Sequence, residues 1–141
     1  MRSIALNPND ALAAINRASL LRYLGRPEEG VDWARKAMRL NPYHPNWHWN
    51  ILATVLHSAG CHAEALDAYG RIAERPSFYH AYVAGCYAEL GRMEDARKHS
   101  ALALEGRPDF SVAAWGKRLP YKNEADLQRF LDGLRRAGLP E

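Results

Sequence analysis

Cysteine is scarce: only Cys61 and Cys86 occur in 141 residues, too few for the disulfide framework of a small secreted domain. The start also lacks a basic-then-apolar leader with a small-residue cleavage site. Nothing argues for export, and a cytoplasmic location is the expectation. Long apolar runs are missing as well. His, Asn and Ser interrupt the longest uncharged stretches, so no membrane association is expected. Charge of one sign is in short supply too: 19 Lys and Arg against 16 Asp and Glu leave +3, spread along the chain. The densest basic stretch, Lys117, Arg118 and Lys122, runs straight into Glu124 and Asp126, a pattern that does not suit a nucleic-acid partner. What remains is ordinary for one globular domain, with 48% apolar and 25% charged residues.

Catalytic signatures are missing too. The ten glycines are scattered and build no phosphate-cradling loop, and there is no Gly-x-Ser-x-Gly. One cluster invites a metal: His44, His48, His57, Cys61 and His62. His44 and His48 are four residues apart, as are His57 and Cys61, and such pairs share a helix face. Pro45 and Gly60 interrupt both helices, however, and no spacing matches a zinc module. The plainer reading puts His57 and His62 at an exposed turn between helices. Cys86, among Tyr82, Val83 and Tyr87, reads as a small buried residue. No catalytic residue, cofactor or metal is therefore expected.

What the chain does have is a period. Pro8, Pro42, Pro76 and Pro108 follow one another at 34, 34 and 32 residues, and Gly25, Gly60 and Gly91 run in step at 35 and 31. Between proline and glycine, apolar residues recur at helical spacing: Ile15, Ala18 and Leu21, then Trp49, Leu52, Ala53 and Leu56, then Val83, Ala84 and Tyr87. A second stripe follows the glycines, in Ala65, Leu66, Tyr69 and Ile72 and in Ala96, Ala103 and Leu104. Glycine suits the left-handed residue that ends a first helix, and proline stops the second. Period-2 alternation is absent and β-branched residues are few. The fold class is all-α, each unit a helical hairpin.

A 34-residue hairpin with this punctuation resembles the tetratricopeptide (TPR) repeat. The middle unit carries Trp49, Leu52, Ala53, Leu56, Ala65, Tyr69 and Pro76. The third carries His80, Val83, Ala84, Tyr87, Ala96, Ser100 and Pro108, and the first Ala14, Arg17, Ala18, Leu21, Gly30, Ala34 and Pro42. Arg17 stands where the pattern has an aliphatic residue. The resemblance implies a solenoid of three repeats, at about 9–42, 43–76 and 77–110. Residues 1–8 then read as the end of a preceding repeat's helix, which makes the chain a fragment in this reading. Its uncapped face, with Ile4, Leu6, Leu12 and Ile15, is expected to favour self-association.

Residues 111–141 are expected to form a short connector helix from Ser111 and a capping helix. The latter opens at Asn123 as N-cap, buries Leu127, Phe130, Leu131 and Leu134, and closes at Gly138 with Leu139 folding back on Leu134. The tail has a narrower resemblance. Arg107-Pro108-Asp109-Phe110-Ser111, Pro120-Tyr121-Lys122 and the run from Phe130 to Glu141 are similar to the end of proteobacterial signalling proteins. Many of those are class III adenylate cyclases with C-terminal TPR repeats; others join such repeats to a DNA-binding winged helix. The likeness implies a regulatory or scaffolding interaction module of a bacterial cyclase in cAMP signalling, with a transcription-regulator sensor half or a stand-alone adaptor as alternatives. No residue here suits cyclase chemistry, since the acids fall on helix surfaces.

TPR stacks bind a protein or peptide in the concave groove lined by their first helices. Carried over position by position, that groove comprises Tyr23, Trp47, Asn50, Thr54, His57, Phe78, Ala81, Gly85 and Glu89. Trp47 and Phe78 are its expected anchors. The bare patch of Ala81, Gly85 and Ala88 is a place where a helix can approach closely.

Overall fold

The computed structural model describes residues 8–141, which form eight helices and, among the described residues, no strand. They are α1 Pro8–Tyr23, α2 Pro27–Leu40, α3 Trp47–Ser58, α4 His62–Gly70, α5 Tyr79–Glu89, α6 Met93–Gly106, α7 Val112–Gly116 and α8 Glu124–Arg136. The chain is all-α. Ile4 and Leu6, expected on an uncapped face, lie outside the described residues. Leu12 is exposed, but Ile15 is fully buried. No helix among those described is long and apolar enough to cross a membrane.

Helices α1 and α2, α3 and α4, and α5 and α6 pair as successive hairpins, with α2 against α3 and α4 against α5. One device makes all three hairpin turns. Gly25, Gly60 and Gly91 take φ of 84°, 83° and 76°, a region costly for residues with a Cβ. The following amide then reaches back to the helix end: Arg26 to Leu21, Cys61 to Leu56 and Arg92 to Tyr87, each at 2.9 Å. This is a Schellman closure, which satisfies carbonyls that a helix end leaves free. Gly138 (φ 99°) repeats it after α8, where the Leu139 amide bonds the Leu134 carbonyl at 3.2 Å.

Small residues set the distance between helices. Ala18, Ala34, Ala53, Ala65, Ala84 and Ala96 are fully buried, and a larger side chain there would wedge the pairs apart. At Gly30 a Cβ would come within 2.8 Å of the Ala18 carbonyl oxygen, so α2 lies against the α1 backbone there. Arg17, out of place in the repeat pattern, is exposed and lays its guanidinium over the Trp33 ring at 4.9 Å. It snorkels outward and leaves the core intact.

The last 30 residues turn back over the hairpins. Ser111 caps α7 by accepting from the Ala114 amide at 3.1 Å. Asn123 has the extended backbone of an N-cap, but its side chain donates to Asp126 Oδ2 at 3.2 Å and caps no amide. The nearby carboxylate takes the amide group that the sequence assigns to the helix. Helix α8 buries Phe130, Leu131, Gly133 and Leu134 and lies along α5. Among the ties that hold the segment, Lys122 N–H donates to Tyr23 O at 2.9 Å, Ser100 Oγ to Ala137 O at 2.7 Å, and, within it, Val112 N–H to Pro140 O at 2.8 Å.

Candidate functional site

The inner helices α1, α3 and α5 present the residues that the repeat pattern assigns to a groove, and α8 lies across part of that face. The contact is backbone-close because glycines oppose each other. A Cβ on Gly85 would meet Leu134 Cδ2 at 2.9 Å, and one on Gly133 would come within 3.6 Å of the Gly85 carbonyl oxygen. Gly85 and, through Phe130, His57 are covered by α8, and Thr54 and Ala81 are buried as well. This corrects the expectation of an open groove at these four positions. Thr54 Oγ1 donates to the Ile51 carbonyl of its own helix at 3.0 Å. Phe78 is half-buried, with its ring 4.4 Å from Tyr82 and 5.8 Å from Trp115 of α7. Glu89 is half-buried and accepts from Arg136 Nη1 at 2.8 Å. Trp47, by contrast, is 42% exposed. Asn50 beside it is half-buried, with a buried Oδ1 that has no hydrogen-bond donor among the described residues.

Beneath the edge of α8 a cavity of about 240 Å³ is lined by Arg22, His57, Ser58, His62, Glu89 and Phe130, among others. Arg22 comes from the last turn of α1 and is only 4% exposed. Its Nε donates to Ser58 Oγ at 2.8 Å and to Tyr121 Oη at 3.0 Å, and Nη1 donates to Tyr23 Oη at 3.2 Å. Rings of Tyr23, Tyr121 and Phe130 stand 4.9, 5.3 and 4.9 Å from its Cζ. The charge is thus held by hydroxyls and ring faces, without a carboxylate, which favours a cation through the ring quadrupoles. Tyr23 is half-buried in this cluster, its ring edge-on to Tyr121.

His57 does not sit at an exposed turn. It is 4% exposed, its Nδ1 lies 3.1 Å from Tyr69 Oη, and its ring centre lies 4.7 Å from that of Phe130. The Gly60 closure turns the end of α3 inward, and α8 covers it. Burial, with His62 and Arg22 adding, pushes its pKa well below the usual histidine range, so the ring is neutral near pH 7. His62, at the start of α4, is half-buried. Burial lowers its pKa against the opposing pull of Glu89. Cys86 is fully buried, and burial first, then Glu89, pushes its thiol up. One ligating atom from each of His57, His62 and Cys86 lies within 4.8 Å of the others.

Of the residues that the repeat pattern assigns to a groove, His57 and Glu89 line one cavity, Tyr23 packs on its Arg22, and Trp47 stays exposed away from it, next to half-buried Asn50. The pattern does not reveal Tyr121, Phe130 and Cys86 as their neighbours. Tyr121 and Phe130 arrive from the tail, at sequence separations that no local spacing reports. Cys86 needs the stacking of one hairpin on the next. No protein-family model matches the chain, and no curated protein matches it in sequence.

Proposed function

We propose that this chain is a protein-interaction module of the TPR type, the C-terminal regulatory or scaffolding part of a bacterial class III adenylate cyclase. The single observation that carries the interaction reading is the seating of α8 on α5 through Gly85 and Gly133. A face that takes one helix at backbone distance has the shape that recognises a helix. The cyclase reading rests on the likeness of the tail sequence.

The partner-facing part of the groove is the rim that α8 leaves free. Trp47 is its anchor, being large, aromatic and exposed. Asn50 flanks it, half-buried, with its Oδ1 turned inward and without a donor among the described residues. Neither residue holds the hairpins together.

A photo-crosslinking amino acid at position 47, introduced in the host cell, identifies what docks there. Binding of the captured partner is then titrated against Trp47→Ala. The expected loss is about 2 kcal/mol, roughly 30-fold in Kd, with the melting temperature unchanged. Unaltered affinity contradicts the groove assignment. The coding sequence upstream of Met1 tests the parent: a cyclase domain is expected, and a winged helix there overturns the cyclase reading.

A further inference from the structure

We infer that His57, His62 and Cys86 form a binding site for a zinc-like divalent cation. The three donors come from three successive helices. His57 lies in the last turn of α3, His62 is the first residue of α4, and Cys86 sits in the second half of α5. The glycine turn at Gly60 folds the two histidines toward one corner, and α5 packs against α4 to bring up the sulfur. Their ligating atoms lie within 4.8 Å of one another. A tetrahedral ion with ordinary Zn–N and Zn–S bonds needs its donors about 3.3–3.8 Å apart. Closure by about 1 Å is within reach of side-chain torsions.

His57 has the outer hydrogen bond that metal-bound histidines use to fix their rings. His57 Nδ1 is taken by Tyr69 Oη at 3.1 Å, which leaves Nε2 for the ion. His62 Nε2 stands 4.0 Å from Glu89 Oε2, and its buried Nδ1 has no hydrogen-bond partner among the described residues. A buried polar atom without a partner is costly, and a cation satisfies it. The fourth position faces the cavity, where water completes the tetrahedron. As the ion binds, the Cys86 thiol loses its proton to solvent. Thiolate and Glu89 then offset the ion's two charges, against the adverse charge of Arg22 near His57. Thiolate with imidazole selects zinc-like ions over magnesium or calcium.

Sequence spacing pairs His57 with Cys61, and the structure replaces Cys61 by Cys86. That exchange makes the test specific. The metal-free full chain is titrated with Co²⁺ alone. One equivalent is expected to give tetrahedral ligand-field bands and a thiolate-to-cobalt charge-transfer band, both displaced by Zn²⁺. Cys61→Ser leaves the charge-transfer band in place, and Cys86→Ala abolishes it. His62→Asn weakens Co²⁺ binding at least ~10-fold. Far-ultraviolet circular dichroism checks that each variant is folded. Should Cys86→Ala fail to fold, zinc-edge X-ray absorption of the wild-type chain decides. One sulfur and two imidazoles per zinc sustain the site, and a shell without sulfur overturns it. Absence of the charge-transfer band in the wild type, or its survival in folded Cys86→Ala, also overturns it.

Discussion

At the residue scale, two glycines inside the hairpins make opposite predictions. Gly30 is crowded by a backbone atom that has no freedom to yield, the Ala18 carbonyl oxygen at 2.8 Å from a built Cβ. Gly30→Ala must push α2 away from α1, at about 1–3 kcal/mol. Gly70, in the last turn of α4, has no atom within 4 Å of such a Cβ. Gly70→Ala is expected to be neutral or to stabilise by up to ~1 kcal/mol through helix propensity. Urea midpoints of the two variants check both signs, and equal effects contradict this packing of α1 on α2.

A second prediction at this scale concerns pH. His80 of α5 and His99 of α6 face each other with Nδ1 atoms 3.1 Å apart, and Tyr87 stacks on His99. Burial lowers both pKa values, with Arg75 adding at His80 and the His80 charge foremost among the neighbours at His99. The folded pair thus stays neutral where the unfolded chain takes up protons. For depressed histidines the stability is present above the unfolded value near 6.5 and falls as pH drops through it, by at most ~1.4 kcal/mol per unit per proton. Replacing both by Phe is expected to reduce the slope of unfolding free energy between pH 7.5 and 5. His48, His57 and His62, also lowered, retain part of it. An unchanged slope in the double variant contradicts the coupling.

At the scale of elements, α8 joins the tail to the hairpins through buried apolar side chains. Phe130, Leu131, Leu134 and, after the helix, Leu139 are buried, at about 1.5–3 kcal/mol for each side chain. Deleting residues 120–141 removes all four, together with the tyrosine that shares Arg22 with Ser58. The loss is comparable to the whole stability of a domain. The truncated chain is expected to unfold at a much lower urea concentration and to bind a hydrophobic dye. Gly85→Leu is expected to destabilise in the same direction, because Leu134 already fills that space. A truncated chain that melts within a few degrees of the full one contradicts the role given to α8.

For the molecule as a whole, the helical hairpins were legible in the sequence because their punctuation is local. A glycine at positive φ and an apolar stripe at helical spacing both report on a few neighbouring residues. The stripe of α8 was legible for the same reason. The patch of Ala81, Gly85 and Ala88 was legible as a place where a helix can approach, but not that α8 fills it, because the Gly85–Gly133 approach joins residues far apart in sequence. His57 shows the limit from the other side. Its place at the end of a helix suggests exposure, whereas Tyr69, Tyr82 and, from the tail, Phe130 enclose it. Arg22 likewise has no local signal for its tyrosine cage, one wall of which is Tyr121.

The account turns on one arrangement: the C-terminal helix lies against the inner face of the hairpins, which leaves Trp47 exposed at the rim. Nuclear Overhauser spectra of the isotopically labelled full chain test it most directly. Cross-peaks are expected between the Gly85 α-protons and the Leu134 methyls, and between the His57 and Phe130 rings, whose centres lie 4.7 Å apart. Absence of both, with α8 amides exchanging as freely as those of an unpacked helix, would contradict the arrangement and reopen the whole inner face to a partner.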